Sequence, residues 1–240
     1  MLFISPPFGN YIHLNNTTSI KGSFTLYPRP GLLMQILKTL RYSYTRGGWV
    51  NKIGLRNNGI EWAINQYKNT NHIVSIVIMK ESDIKPIVNL IPSKMNIEIN
   101  ISCPNLNKKL ITPNLKPFLN NARKWCIIKL SPTCDKKLID SYYNQGFRQF
   151  HCSNTLKVKE GGLSGTKLIP YNMKLLKYIQ NKYDDVEIIA GGGIYDYKTL
   201  ENYRKWGANH FSISTIFFDP LCFINFYMKY TKNYRYNKKI

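Results

Sequence analysis

Apolar residues in this chain cluster in short continuous runs, separated by stretches in which they recur every three or four positions. The runs cover residues 2–5, 20–25, 73–79, 96–101, 126–130, 150–153, 186–190 and 210–214. Most are unbroken rather than alternating, the pattern of strands buried on both faces. Between them, residues 61–67, 136–144, 171–182 and 197–206 carry helical periodicity, and 83–90 and 115–124 carry it more weakly, with prolines near their starts. Residues 217–230 predict a last helix packed outside. Strand–helix alternation along a whole chain implies a parallel sheet, and eight strands imply closure. The expected fold is therefore α/β, a (β/α)8 TIM barrel.

Two segments break the rhythm. The link 6–19 is too short and too polar for a good crossover helix, so the first crossover is expected to be abbreviated. Residues 26–55 are long for a connection and rich in Pro, Gly, Arg and Tyr. They are read as an excursion over the barrel mouth, with Trp49-Val50-Asn51 bringing the chain back. With no linker and no repeat, residues 1–230 make one barrel domain and 231–240 a basic tail.

Composition agrees with a single large domain. The chain has 240 residues, 43% of them hydrophobic, and one α/β barrel commonly takes about 200–250 residues. No run approaches the roughly 18 apolar residues of a membrane span. The start, Met1-Leu2-Phe3-Ile4-Ser5-Pro6-Pro7, lacks a basic leader, so no signal peptide is expected. Five cysteines without a CxxC pair point to free thiols in a reducing compartment, and a cytoplasmic location is expected. Four separated histidines offer no metal-ligand spacing. The net charge of +21 is spread along a chain rich in Asn, Lys, Ile and Tyr. It is read as a solvated basic surface, with nucleic acid a lesser alternative.

Candidate chemistry gathers at strand ends. The run Asn100-Ile101-Ser102-Cys103-Pro104-Asn105 ends the fourth strand, on the side where barrel active sites form. A thiol there suits a general base if its pKa is lowered, and the flanking amides suit a flat heterocycle. Gly191-Gly192-Gly193 follows the seventh strand and Ser212-Ile213-Ser214-Thr215 the eighth, an arrangement fitted to a phosphate. Ser153-Asn154-Thr155 adds an amide to the mouth, and Gly161-Gly162-Leu163-Ser164-Gly165 is read as a flexible glycine loop. Lys21 and Lys129 interrupt apolar strands, a costly placement unless each meets water or an anion.

Taken in order, these segments resemble the dihydroorotate dehydrogenases, over nearly the whole chain. Lys21-Gly22-Ser23 with Pro28-Arg29-Pro30-Gly31 is similar to that family's flavin-contacting lysine and the loop after it. Asn51-Lys52-Ile53-Gly54-Leu55-Arg56-Asn57-Asn58-Gly59 is similar to its Asn-x-x-Gly-Leu-x-Asn-x-Gly segment, and Asn100, Cys103 and Asn105 match its Asn-x-x-Cys-Pro-Asn motif. The resemblance implies FMN as cofactor and dihydroorotate, converted to orotate, as substrate, within pyrimidine biosynthesis. It implies Cys103 as base, resembling the soluble class, and Asn51, Gly54, Leu55, Asn100, Asn105, Asn154 and Thr155 as pyrimidine contacts. FMN contacts implied are Ser5, Gly9, Lys21, Gly22, Asn100, Lys129, Gly162, Gly192, Gly193, Ser214 and Thr215. A homodimer is the expected assembly, again by resemblance. The chain is shorter than the family norm, Leu106-Asn107-Lys108-Lys109 is basic and glycine-free where the family often has glycine, and Ser214 stands for a usual glycine. Two rivals remain, a tRNA-dihydrouridine synthase-like FMN reductase and a degenerate, non-catalytic barrel. Against the first, no His-x-Arg-Thr-Arg-like segment follows the sixth strand.

Overall fold

A computed structural model describes residues 1–101, 113–152 and 154–237. Eight parallel strands close into a barrel: β1 (Leu2–Ile4), β2 (Thr17–Phe24), β5 (Ile73–Val77), β6 (Asn96–Asn100), β7 (Cys126–Leu130), β8 (Gln149–Cys152), β11 (Glu187–Gly191) and β12 (His210–Ile213). They pair in the order β1-β12-β11-β8-β7-β6-β5-β2, and the β1–β2 contact completes the circle. All eight expected strands are therefore present, each within a few residues of the sequence reading.

The residues explain the closure. Alternate side chains along each strand point into the barrel or out toward the helices. Phe3, Ile20, Ile73, Trp125, Ile127 and Ile189 fill the inside, with Phe3 edge-on to Trp125 at 5.3 Å between ring centroids. The opposite parity, including Leu2, Ile4, Val74, Ile97, Ile99, Ile128 and Phe150, packs under the helices α2 (Ile60–Tyr67), α3 (Ile84–Leu90), α4 (Lys136–Asn144), α5 (Ile169–Lys182), α6 (Tyr197–Lys205) and α7 (Pro220–Asn237). Asp135 and Asp196 cap α4 and α6 by accepting backbone N–H bonds from Lys137 and Thr199. α7 runs to Asn237, so residues 231–237 continue that helix rather than forming a separate tail. Among the described residues no helix is long and apolar enough to cross a membrane.

The irregular segments depart from the sequence reading in instructive ways. The first crossover is indeed abbreviated, to a single 3-10 turn at Phe8–Asn10. Residues 115–124, expected as a weak helix, form only the 3-10 turn Lys116–Phe118. There the Asn120 side chain accepts from the backbone N–H groups of Ala122 and Arg123, offering the chain a turn in place of a helix. The excursion carries α1 (Leu32–Thr39), β3 (Arg41–Ser43) and β4 (Gly48–Asn51). β4 pairs antiparallel with β10 (Gly161–Ser164), which pairs with β9 (Leu156–Val158), giving a second sheet ordered β3-β4-β10-β9. The glycine loop expected at 161–165 is thus mostly a strand. Gly161 lies at φ 137°, and a Cβ there would sit 2.2 Å from the Asn51 carbonyl oxygen, so only glycine lets β4 approach. This sheet rests on the C-terminal end of the barrel, where Trp49 stacks on Phe218 at 4.0 Å.

Candidate functional site

At the C-terminal end of the barrel the inward positions become polar. Glu98 and Asn100 share one face of β6, and their neighbours across the ladders are Ser75 on β5 and Lys129 and His151 on β7 and β8. Glu98 is fully buried and collects three partners. Ser75 Oγ donates to Oε1 at 2.8 Å, Lys129 Nζ donates to Oε1 at 3.3 Å, and His151 Nδ1 lies 2.6 Å from Oε2. An isolated buried carboxylate would be too costly to ionise; two basic partners and a hydroxyl reverse that. Burial alone would raise the Glu98 carboxyl, but Lys129 and His151 outweigh it and hold the group down at about 2. His151 is displaced downward, first by burial and then by the Lys129 charge, with Glu98 pulling the other way.

The same network reaches the rim. Ser75 Oγ meets Ser23 Oγ at 2.9 Å, the Asn100 amide donates to Ser23 Oγ at 3.2 Å, and the Asn154 amide donates to Asn100 Oδ1 at 2.9 Å. Asn154 Oδ1 in turn accepts from the Thr155 backbone N–H at 2.8 Å. On the other side of the barrel Ser5 and Ser212 share a 2.6 Å hydroxyl contact. These groups border a cavity at the mouth. Lys129 and His151 line its depth, Asn154 and Thr155 one side, and Ser5, Ser212, Ser214 and Thr215 another. Gly192 and Gly193 form the remaining wall, both in the left-handed region at φ 75° and 81°. A Cβ on Gly193 would come within 2.8 Å of Thr166 Cα and Ile169 Cγ1, so the wall exists only with glycine there. The combination of a glycine wall with hydroxyls, amides and a lysine suits a phosphorylated, flat, polar-edged cofactor of the FMN type.

Of the residues expected at the site, the structure brings together Ser5, Asn100, Lys129, Asn154, Thr155, Gly192, Gly193, Ser214 and Thr215. Others lie elsewhere. Lys21 corrects an expectation: it projects from the outer face of β2, the parity opposite to Ile20. Its Nζ donates to the Gly9 carbonyl at 2.8 Å and lies 3.3 Å from His13 Nε2 and 5.6 Å from the Tyr67 ring on α2. Gly9 is wedged against the backbone of Ile4 and Ile20, and Gly22 against that of Ser75. Gly162 sits in β10 against Thr155, and Gly165 reaches the cavity in its place. Gly9 and Gly22 thus admit neighbouring backbone, and Gly162 admits the Thr155 side chain. Asn51 stands on β4 opposite Gly162, and Gly54 and Leu55, both at positive φ, continue the excursion, where Arg29 donates to the Gly54 carbonyl. Cys103 and Asn105 lie outside the described residues.

Glu98, His151, Ser23 and Ser75 were not singled out in the sequence. A signal existed for two of them. Glu98 is a lone carboxylate in an apolar strand, two positions before Asn100 and therefore on its face; His151 is a polar ring between Phe150 and Cys152 in the apolar sixth strand.

A sequence model described as dihydroorotate dehydrogenase matches residues 8–223. The chain is 31% identical over 205 residues to the catalytic subunit of dihydroorotate dehydrogenase B (NAD(+)) from Petrotoga mobilis, covering 71% of this chain and 68% of that one. It is 24% identical over 267 residues to the subunit of the same name from Thermotoga maritima, covering 92% and 94%. Among solved structures, the crystal structure of DHODH from Eimeria tenella in complex with ferulenol superposes with a TM-score of 0.69 at 16% identity, over 93% of this chain and 78% of that one. That last likeness is one of fold.

Proposed function

The chain belongs to the dihydroorotate dehydrogenase family of oxidoreductases, and on that premise we propose that it oxidises dihydroorotate to orotate with FMN, in pyrimidine biosynthesis. FMN, when bound, supplies the acceptor for the hydride leaving C6 of the substrate. The chain's own residues bind, orient and move one proton. Gly192, Gly193, Ser214 and Thr215 would hold the phosphate in the glycine-walled part of the cavity. Lys129, anchored by Glu98, lines the cavity and would present its ammonium donors to the cofactor.

Asn100 and Asn154 hold each other at the rim, where their amides would face the pyrimidine. Asn51, Asn105 and the backbone of Gly54 and Leu55 would complete that contact. Cys103, three residues past Asn100, would take the proton from C5 as thiolate. The four described cysteines do not suit that role: burial pushes the Cys126 and Cys134 thiols up to about 12 and raises Cys152 further, and the Asp219 carboxylate raises Cys222, so none forms a thiolate readily.

The observation that carries this reading is the unbroken chain of hydrogen bonds from a buried carboxylate, through serines, to two amides at a glycine-walled mouth. The test is direct. Purified protein should carry or take up FMN and show its visible absorbance, and dihydroorotate should bleach it without oxygen. Cys103→Ala should keep the colour and slow bleaching by at least about 100-fold, the usual worth of a general base. Bleaching at the unaltered rate would remove Cys103 from the mechanism, and a protein unable to take up FMN would remove the reading itself.

A further inference from the structure

The Glu98 pair accounts for one nitrogen of His151 and leaves the other open. His151 is 1% exposed and stands beside Lys129 in register across β7 and β8. Its Nδ1 is tied to Glu98 Oε2 at 2.6 Å. An ionised carboxylate only accepts, so this contact puts the ring's first proton on Nδ1. Nε2 then carries a lone pair. It has no hydrogen-bond partner among the described residues and points toward Gly191, where an added Cβ would stand 3.4 Å away. His151 lines the cavity. The structure therefore holds a buried, oriented and unused proton acceptor under the mouth of the barrel.

Its surroundings set the charge balance. Glu98 faces it from β6 and Lys129 from β7, and these two charges cancel. From β5, β11 and β12 the neighbouring positions are Ser75, Gly191 and Ser212, which carry no charge. Among the described residues the charges around His151 balance while it is neutral, and burial favours that state. A hydride arriving in the cavity adds one negative charge to a poorly solvated place, where opposite charge a few ångströms away is worth far more than in water.

We propose that His151 is the positioning residue that couples cofactor reduction to uptake of one proton, binding it at Nε2 as the hydride arrives and releasing it on reoxidation. This rests on the FMN reading above. The balance is simple. The C6–H bond of the substrate breaks with both electrons going to the cofactor, and the C5 proton leaves to Cys103. A second proton, from solvent, forms the Nε2–H bond of His151. No electron passes through the imidazole, and Glu98 keeps the ring oriented in both states.

The test is potentiometric titration of the FMN-loaded protein between pH 5.5 and 9, wild type against His151→Gln and His151→Phe. Each pH unit should shift the wild-type reduction equilibrium by one further factor of ten relative to either variant, over the range where His151 titrates. For a two-electron couple that is about 30 mV per pH unit. His151→Gln keeps a donor for Glu98, so it serves if the Phe variant does not fold. Nitrogen NMR of the oxidised and dithionite-reduced protein should show Nε2 gaining its proton on reduction. Equal slopes with an unmoved Nε2 resonance would overturn the role of His151 while leaving the flavin reading intact. A chain that takes up no FMN would overturn both.

Discussion

Lys21 and Lys129 are both lysines inside apolar strands, and both are almost wholly buried, at 1% and 7% exposure. The barrel wall separates their fates. Lys129 faces inward on β7, bonds to the Glu98 carboxylate and lines the cavity. Lys21 faces outward on β2, where among the described residues Nζ meets the carbonyls of Gly9 and Asn10, the His13 ring and the face of Tyr67. It has no carboxylate partner among the described residues. Burial drives its pKa down to about 8, and the neighbouring histidines are displaced downward as well, His72 to about 4 through its own burial and the Lys21 charge. One lysine is held by a charge partner at a site; the other is held by packing and carbonyl dipoles. Residue type and burial do not distinguish them, but the direction of the side chain does.

The sharpest way to break this contrast is Lys129→Met. It strands a buried carboxylate, so unfolding in urea should show a loss of roughly 3–5 kcal/mol, and FMN retention should fall with it. Pairing it with Glu98→Leu should recover most of the stability and none of the FMN retention; recovery of both would mean that Lys129 acts only through folding. Next in size is Glu98→Gln. The Glu98 carboxyl lies at about 2 when folded, below its ordinary value of 4.5. Its stabilisation is therefore complete above pH 4.5 and is lost as pH falls toward 2. The wild type should exceed the variant by roughly 2–4 kcal/mol at pH 7, and the gap should close in acid.

Lys21 should behave in the opposite sense. Its folded pKa of about 8 lies below the ordinary 10.5, so between those values the unfolded chain binds more protons. Wild-type stability should thus rise relative to Lys21→Met by roughly 1–3 kcal/mol from pH 7 to pH 10.5, with FMN uptake changed less than twofold. A large loss of FMN uptake in this variant would return Lys21 to the site. The smallest effect is expected for Tyr67→Leu, which removes the ring beside the Lys21 ammonium. About 0.5–1 kcal/mol should be lost below pH 8, and less above it as the lysine discharges.

Much of the molecule was legible without coordinates. Runs such as Ile73-Val74-Ser75-Ile76-Val77 have few alternatives to a strand buried on both faces, and Asp196 before 197–205 signals a helix start. The rim positions of Asn100, Lys129 and Asn154 followed from strand ends, because barrel sites form there. Where expected residues lie away from the cavity, the causes are local. On β2 the register shifts between Gly22 and Phe24, so the parity that puts Lys21 on the outer face does not carry through to the rim. Glycines at 9 and 22 admit neighbouring backbone and Gly162 admits the Thr155 side chain, packing that no local sequence pattern announces.

The sequence alone determined the order of strands and helices, because apolar periodicity and capping act over a few neighbouring residues. It also determined which types of polar group stand near the strand ends. Only the tertiary structure decided which groups meet. Glu98, Lys129 and His151 are 31 and 53 residues from one another through Glu98, and β4 finds β10 from more than a hundred residues away. Such meetings depend on ladder register and closure of the whole barrel, and a buried charge is tolerable only where that closure delivers its partners.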